Sequence, residues 1–101
     1  MAFQKACSAE QLREGGVIGV QLGERQIAIC NIAGSLHALD DVCPHRGGPL
    51  SQGALHGSEI SCPWHGWTFD CSSGVNTYNP AQRQQTFPVM LAGGDILLDA
   101  G

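Results

Sequence analysis

The stretch CPHRGGPL at residues 43–50 is answered further along the chain by SCPWHGWTFD at residues 61–70. Each holds a cysteine followed two or three positions later by a histidine. The full spacing is Cys43-x-His45, sixteen intervening residues, then Cys62-x-x-His65. Two loops of this kind supply two thiolates and two imidazoles. The surrounding Pro and Gly let each loop bend side chains and backbone amides toward one point. Four such ligands suit one small inorganic centre. Zinc accepts this set tetrahedrally, but zinc fingers commonly run Cys, Cys, His, His with C-x₂₋₄-C spacing, whereas here the order alternates and the first pair is C-x-H. A 2Fe–2S cluster with two cysteines on one iron and two histidines on the other needs this same inventory. One Cys and one His from each of two facing loops would satisfy it symmetrically.

Outward from these loops the chain reads as β structure. VIGVQL, Gly23-Glu24, RQIAICNI, AGS and LHALDDV alternate short apolar segments with turn signals, predicting a meander with two tight turns. After the glycine-rich loop the pattern resumes at SEISCP and GWTFD, turns at SSG, and returns as TFPVML and DILLD around AGGD. Only SAEQLREGG suggests a helix of one or two turns, with Ser8 as N-cap, Gln11 three residues on, and Gly15 at the stop.

Size and charge narrow the function classes. The 101 residues, 43% hydrophobic, fit one globular domain with a single modest core, and leave no room for a catalytic domain beside a carrier domain. No apolar run approaches the roughly 18 residues of a membrane span, and MAFQKACSAEQL is too polar for an export signal, so the expectation is a soluble cytoplasmic protein without a membrane partner. A formal charge of −4 with only five scattered Lys and Arg argues against a nucleic-acid surface. Five cysteines is an odd number, so a closed disulfide framework cannot use them all, and thiolate ligation is the better use for some. Cys7, Cys30 and Cys71 read as reduced structural thiols, Cys30 as a small hydrophobe in an apolar strand.

CPHRGGPLSQG followed by CPWHGWTFD resembles the signature of the Rieske iron–sulfur family. The resemblance is strongest over about residues 40 to 75, within a single domain spanning 1–101. It implies a small antiparallel β sandwich or incomplete barrel with the cluster at the tip of two loops. It further implies one 2Fe–2S cluster, with Cys43 and Cys62 on one iron and His45 and His65 on the outer iron. Asn79-Pro80-Ala81 resembles the proline-containing third loop that covers the cluster. Rieske proteins of respiratory and photosynthetic complexes carry an extra cysteine in each loop and a serine after the second His-Gly. Here the corresponding positions are Gly48, Trp64 and Trp67. Without those devices the expected potential is at the low end of the Rieske range, near about −150 mV.

The branch implied is the soluble Rieske ferredoxin: a monomeric one-electron carrier, not an enzyme, taking electrons from a flavin-dependent reductase and passing them to a terminal ring-hydroxylating oxygenase. A terminal oxygenase itself needs a mononuclear iron site of two histidines and a carboxylate. Outside the motifs only His37 and His56 remain, and both read as surface or turn residues. Two alternatives stay open at this point: a small electron-entry or regulatory subunit of a larger reductase such as a nitrite reductase, and a zinc-stabilised interaction module. Trp67, leading into Thr-Phe, reads as a core residue, whereas Trp64 suits either packing or docking.

Overall fold

A computed structural model describes residues 3–43, 48–64 and 66–99. Within them the chain forms strands β1 (Gln4–Ser8), β2 (Val17–Leu22), β3 (Arg25–Ile32), β4 (Ser35–Asp40), β5 (Ala54–His56), β6 (Glu59–Ser61), β7 (Thr68–Asp70), β8 (Thr86–Phe87), β9 (Val89–Ala92) and β10 (Asp95–Leu98). All pairings between them are antiparallel. They make three open sheets, in the orders β1-β10-β9, β2-β3-β4-β8 and β5-β6-β7. The all-β sandwich expected from the sequence is the fold found. No helix among the described residues is long and apolar enough to cross a membrane.

The meander over residues 17–40 follows the reading of the sequence. Val17 pairs with Cys30 and Leu22 with Arg25 across the Gly23-Glu24 turn, and Cys30 in turn faces His37 on β4. Successive side chains of a strand point to opposite faces, and β3 is apolar on both. Ile27 and Ile29 pack with Cys7, Leu12, Ala38, Phe87, Ile96 and Leu98, toward β1 and β10. Ala28 and Cys30 pack on the other face with Leu39, Leu50, Ile60, Phe69, Cys71 and the two motif cysteines, toward β6 and β7. The middle sheet therefore carries a core on each face. This corrects the expectation of one core: IAIC is a strand buried on both sides, and its alternation sorts residues between two clusters.

Three local expectations are modified. SAEQ makes one 3-10 turn, Ala9–Gln11, not an α-helix; the reciprocal capping is present, with the Ser8 N–H donating to Gln11 Oε1 at 2.8 Å. TFPVML is broken at Pro88 into β8 and β9, which belong to different sheets, because proline has no N–H for a ladder. β1 and β5 were not anticipated, since QKACS is largely polar and ALH is too short to show a period.

One close approach ties the fold to the second motif. A methyl group at Gly53, where the chain leaves the 3-10 turn Leu50–Gln52, would stand 1.7 Å from the Ser61 carbonyl oxygen, one residue before Cys62. Only glycine fits. We predict that Gly53→Ala costs about 3 kcal/mol or more, because backbone atoms must separate. Gly23→Ala, at φ +62° in open space, should cost only the roughly 1–2 kcal/mol of a left-handed residue. Denaturant unfolding of the two variants checks the ranking; equal losses would contradict it.

Candidate metal centre

The first motif leaves β4 and returns at Leu50, and its base is fixed from three directions. The buried Asp41 carboxylate accepts the Ser51 N–H at 2.6 Å and the Ser51 hydroxyl at 2.9 Å, while the Asp41 carbonyl accepts the Leu50 N–H at 2.8 Å. The Asp41 N–H donates to Gln26 O at 2.9 Å, anchoring this base to the β2–β3 hairpin. The Cys43 N–H donates to Gly48 O at 2.9 Å, closing the loop across its mouth. The buried Gln84 amide donates to the carbonyls of Asp40, at 2.9 Å, and Val42, at 2.6 Å. None of these partners is near in sequence to Gln84, and sequence reading missed it.

The second motif connects β6 to β7. The Cys62 N–H donates to Trp67 O at 2.7 Å, and the Gly66 N–H returns to Cys62 O at 3.1 Å. Among the backbone amides from Trp64 to Trp67 that could serve cluster sulfurs, Gly66 is thus committed to the turn. Trp67 is half-buried with its ring centroid 6.5 Å from that of Phe69, a packing residue as expected. Trp64 is 57% exposed.

A third loop lies alongside, held to β7 by the Thr77 N–H donating to Thr68 O at 3.0 Å. Buried Asn76 organises it: Asn76 Oδ1 accepts the N–H groups of Tyr78 at 2.8 Å and Asn79 at 3.0 Å, and the Asn76 N–H donates to Gln82 O at 2.9 Å. Asn79 Oδ1 accepts the Ala81 N–H at 3.1 Å, which leaves Pro80 exposed at the turn. The loop expected from Asn79-Pro80-Ala81 is therefore present as a loop.

Cys43 and Cys62, 1% and 3% exposed, belong to one packed cluster. The loops touch: a methyl at Gly48 would come 3.0 Å from Cys62 Sγ and 3.0 Å from the Trp64 ring. An added Cβ here would require Cys62 or the Trp64 ring to give by a few tenths of an ångström, so this position packs tightly against the second loop. None of the five cysteines, all of them among the described residues, is joined in a disulfide. His45, His65 and Arg46 lie outside the described residues. Among the described residues no cluster of three or more His, Cys, Asp or Glu side chains surrounds one point. His37 on β4 and His56 at the end of β5 belong to neither motif loop. Cys43 and Cys62, two soft sulfur donors on neighbouring loops, fit the ligation of one iron of a 2Fe–2S cluster.

A family model for the Rieske [2Fe-2S] domain matches residues 2–89. The ferredoxin component of the naphthalene 1,2-dioxygenase system of Pseudomonas aeruginosa is 33% identical over 95 residues, 93% of this chain and 91% of its own length. Among solved structures, the ferredoxin of Sphingomonas yanoikuyae B1 superimposes with a TM-score of 0.89 at 26% identity, over 99% of this chain and 100% of its own. A chain in the complex of reduced oxygenase and oxidized ferredoxin in carbazole 1,9a-dioxygenase gives 0.86 at 28% identity, over 95% of this chain and 91% of its own. These matches leave no place for the zinc alternative. Two facing thiolate loops on an open β sandwich, matched along nearly the whole chain by carriers of similar length, lead to one conclusion: this chain belongs to the Rieske [2Fe-2S] domain family, and its cofactor is a single Rieske 2Fe–2S cluster.

Proposed function

We propose that the chain is the ferredoxin of a multicomponent ring-hydroxylating oxygenase system, receiving electrons from a flavin-dependent reductase and delivering them one at a time to a terminal oxygenase. The observation that carries this reading is the meeting of the two motif loops at Gly48 and Cys62, in a chain matched at about one-third identity along nine-tenths of a dioxygenase ferredoxin component. It is preferred over a reductase subunit because ferredoxin components of naphthalene and biphenyl dioxygenase systems are 32–34% identical over nine-tenths of both chains. The bound cluster supplies reversible uptake of one electron. Cys43 and Cys62 would hold the inner iron from within the apolar cluster. His45 and His65 would hold the outer iron.

The remaining residues position and insulate. Leu50, Ile60 and Phe69 keep water from the thiolate side. The Asp41–Ser51 and Gln84 hydrogen bonds fix the first loop relative to the second. Trp67 fills, with an apolar ring against Phe69, the position where a serine hydroxyl would stabilise the reduced state in the high-potential branch. Redox titration should therefore give a midpoint near about −150 mV, and a value above roughly +150 mV would contradict the assignment.

Trp64 stands out as a contact for the partner. It is 57% exposed, rests on Gly48, and lies between Cys62 and His65, where an electron acceptor must approach. Interface aromatics carry a large share of binding energy. Trp64→Ala, assayed for oxygenase turnover with reductase in excess, should raise the apparent KM for this chain by about tenfold to thirtyfold, with spectrum and midpoint nearly intact. Unchanged turnover, or loss of the cluster, would make Trp64 a packing residue.

A further inference from the structure

Cys30 and Cys71 lie in neither motif, yet their sulfurs meet. Cys30 is on β3 and Cys71 directly follows β7, and both are fully buried in the cluster shared with Leu39 and Phe69. The two thiols share a hydrogen bond with Sγ to Sγ 3.4 Å. A disulfide requires about 2.05 Å, so one side chain must advance by roughly 1.4 Å. Isolated buried cysteines behave as small hydrophobes. Two in contact, from segments 41 residues apart and on different sheets, make a dithiol.

We propose that Cys30 and Cys71 are a reversible oxidation site, converted by a hydroperoxide to a disulfide that staples the middle sheet to the sheet bearing the second motif. Cys71, though its side chain is fully buried in the closed fold, borders a surface cavity of about 440 Å³ together with His37, Ser72 and Thr86, which makes it the member nearer to an entering peroxide. The hydrogen bond between the two sulfurs holds the Cys71 thiol below its ordinary range and, with burial, pushes Cys30 up, in keeping with Cys71, on the cavity side, as the attacking sulfur. Its thiolate attacks one oxygen of hydrogen peroxide; the O–O bond breaks, the sulfur becomes a sulfenic acid, and the other oxygen leaves as water. Cys30 sulfur then displaces the sulfenic hydroxyl as a second water and forms the S–S bond. Two thiols lose two electrons and two protons, and one peroxide is reduced to two waters. A dithiol reductant reverses the change.

The Cys71 backbone is held in place by its N–H donating to Ser58 O at 2.9 Å, and Cys30 is fixed by the ladder to Val17 and His37. The staple would thus join two already ordered segments, and its effect falls on the unfolded chain. The test uses the cluster-loaded protein, treated with one equivalent of hydrogen peroxide under anaerobic conditions. Intact mass should fall by two hydrogens, and a non-reducing digest should contain a Cys30–Cys71 linked peptide while visible absorbance is retained. The thermal midpoint should rise by on the order of 10 °C and return with dithiothreitol. Cys71→Ala should show neither the mass change nor the shift. The linkage map on the unaltered chain is independent of how that variant folds. A link between other cysteines, bleaching of the cluster with both thiols still reduced, or a Cys71 sulfenic acid that never resolves would each overturn the proposal.

Discussion

The approach of the two motif loops is the constraint on which the rest depends. Gly48 of the first loop lies so close to Cys62 Sγ and the Trp64 ring that a single added carbon would reach 3.0 Å from both. Such contact must be held from outside the loops, because glycine- and proline-rich segments lose much entropy on ordering and bury little of their own. The holding groups are hydrogen bonds at the bases. Asp41 grips Ser51, Gln84 reaches the Asp40 and Val42 carbonyls, and the Cys62 and Trp67 backbones close the second turn. A cluster held by Cys43 and Cys62 would add cross-links between loops that are already juxtaposed.

The division of the core into two clusters supports this arrangement. One face of β3 packs toward β1 and β10, and uses Ile27 and Ile29 to bind the chain's ends into the fold. The other face, Ala28 and Cys30, packs toward Ile60, Phe69 and the motif cysteines Cys43 and Cys62. The small residues on that second face leave room for the β5-β6-β7 sheet to approach. The result is a rigid platform at one end and an apolar lining behind the thiolates. An electron carrier benefits from such a shell, since limited solvent access and the hydrogen bonds near sulfur set its potential.

What was legible in the sequence is what is local. The 17–40 meander follows from period-two patterning and two turn signals, and the two motifs stand out because their ligand order is unusual for zinc. The strand β1 is not legible locally, because an edge segment with one buried residue, Cys7, carries no period. Pro88 divides what reads as one strand, and only the sheet assignments show that β8 and β9 part company there. Asp41, Gln84, Asn76 and Gly53 were invisible for a different reason: their work is done on partners brought near by the fold. Cys30 was correctly placed in the core, but nothing local to it points to Cys71. Gly48 reads in the sequence only as a missing cysteine, and the structure packs it tightly against Cys62 and Trp64.

In the proposed centre each loop would contribute one cysteine and one histidine to a single 2Fe–2S cluster. The most direct measurement is pulsed electron paramagnetic resonance of the reduced protein, prepared with isotopically labelled histidine. Two distinct, strongly coupled histidine nitrogens are predicted, one removed by replacing His45 and the other by replacing His65. A reduced cluster with no histidine nitrogen coupling, or a protein carrying zinc and no paramagnetic signal, would contradict the account.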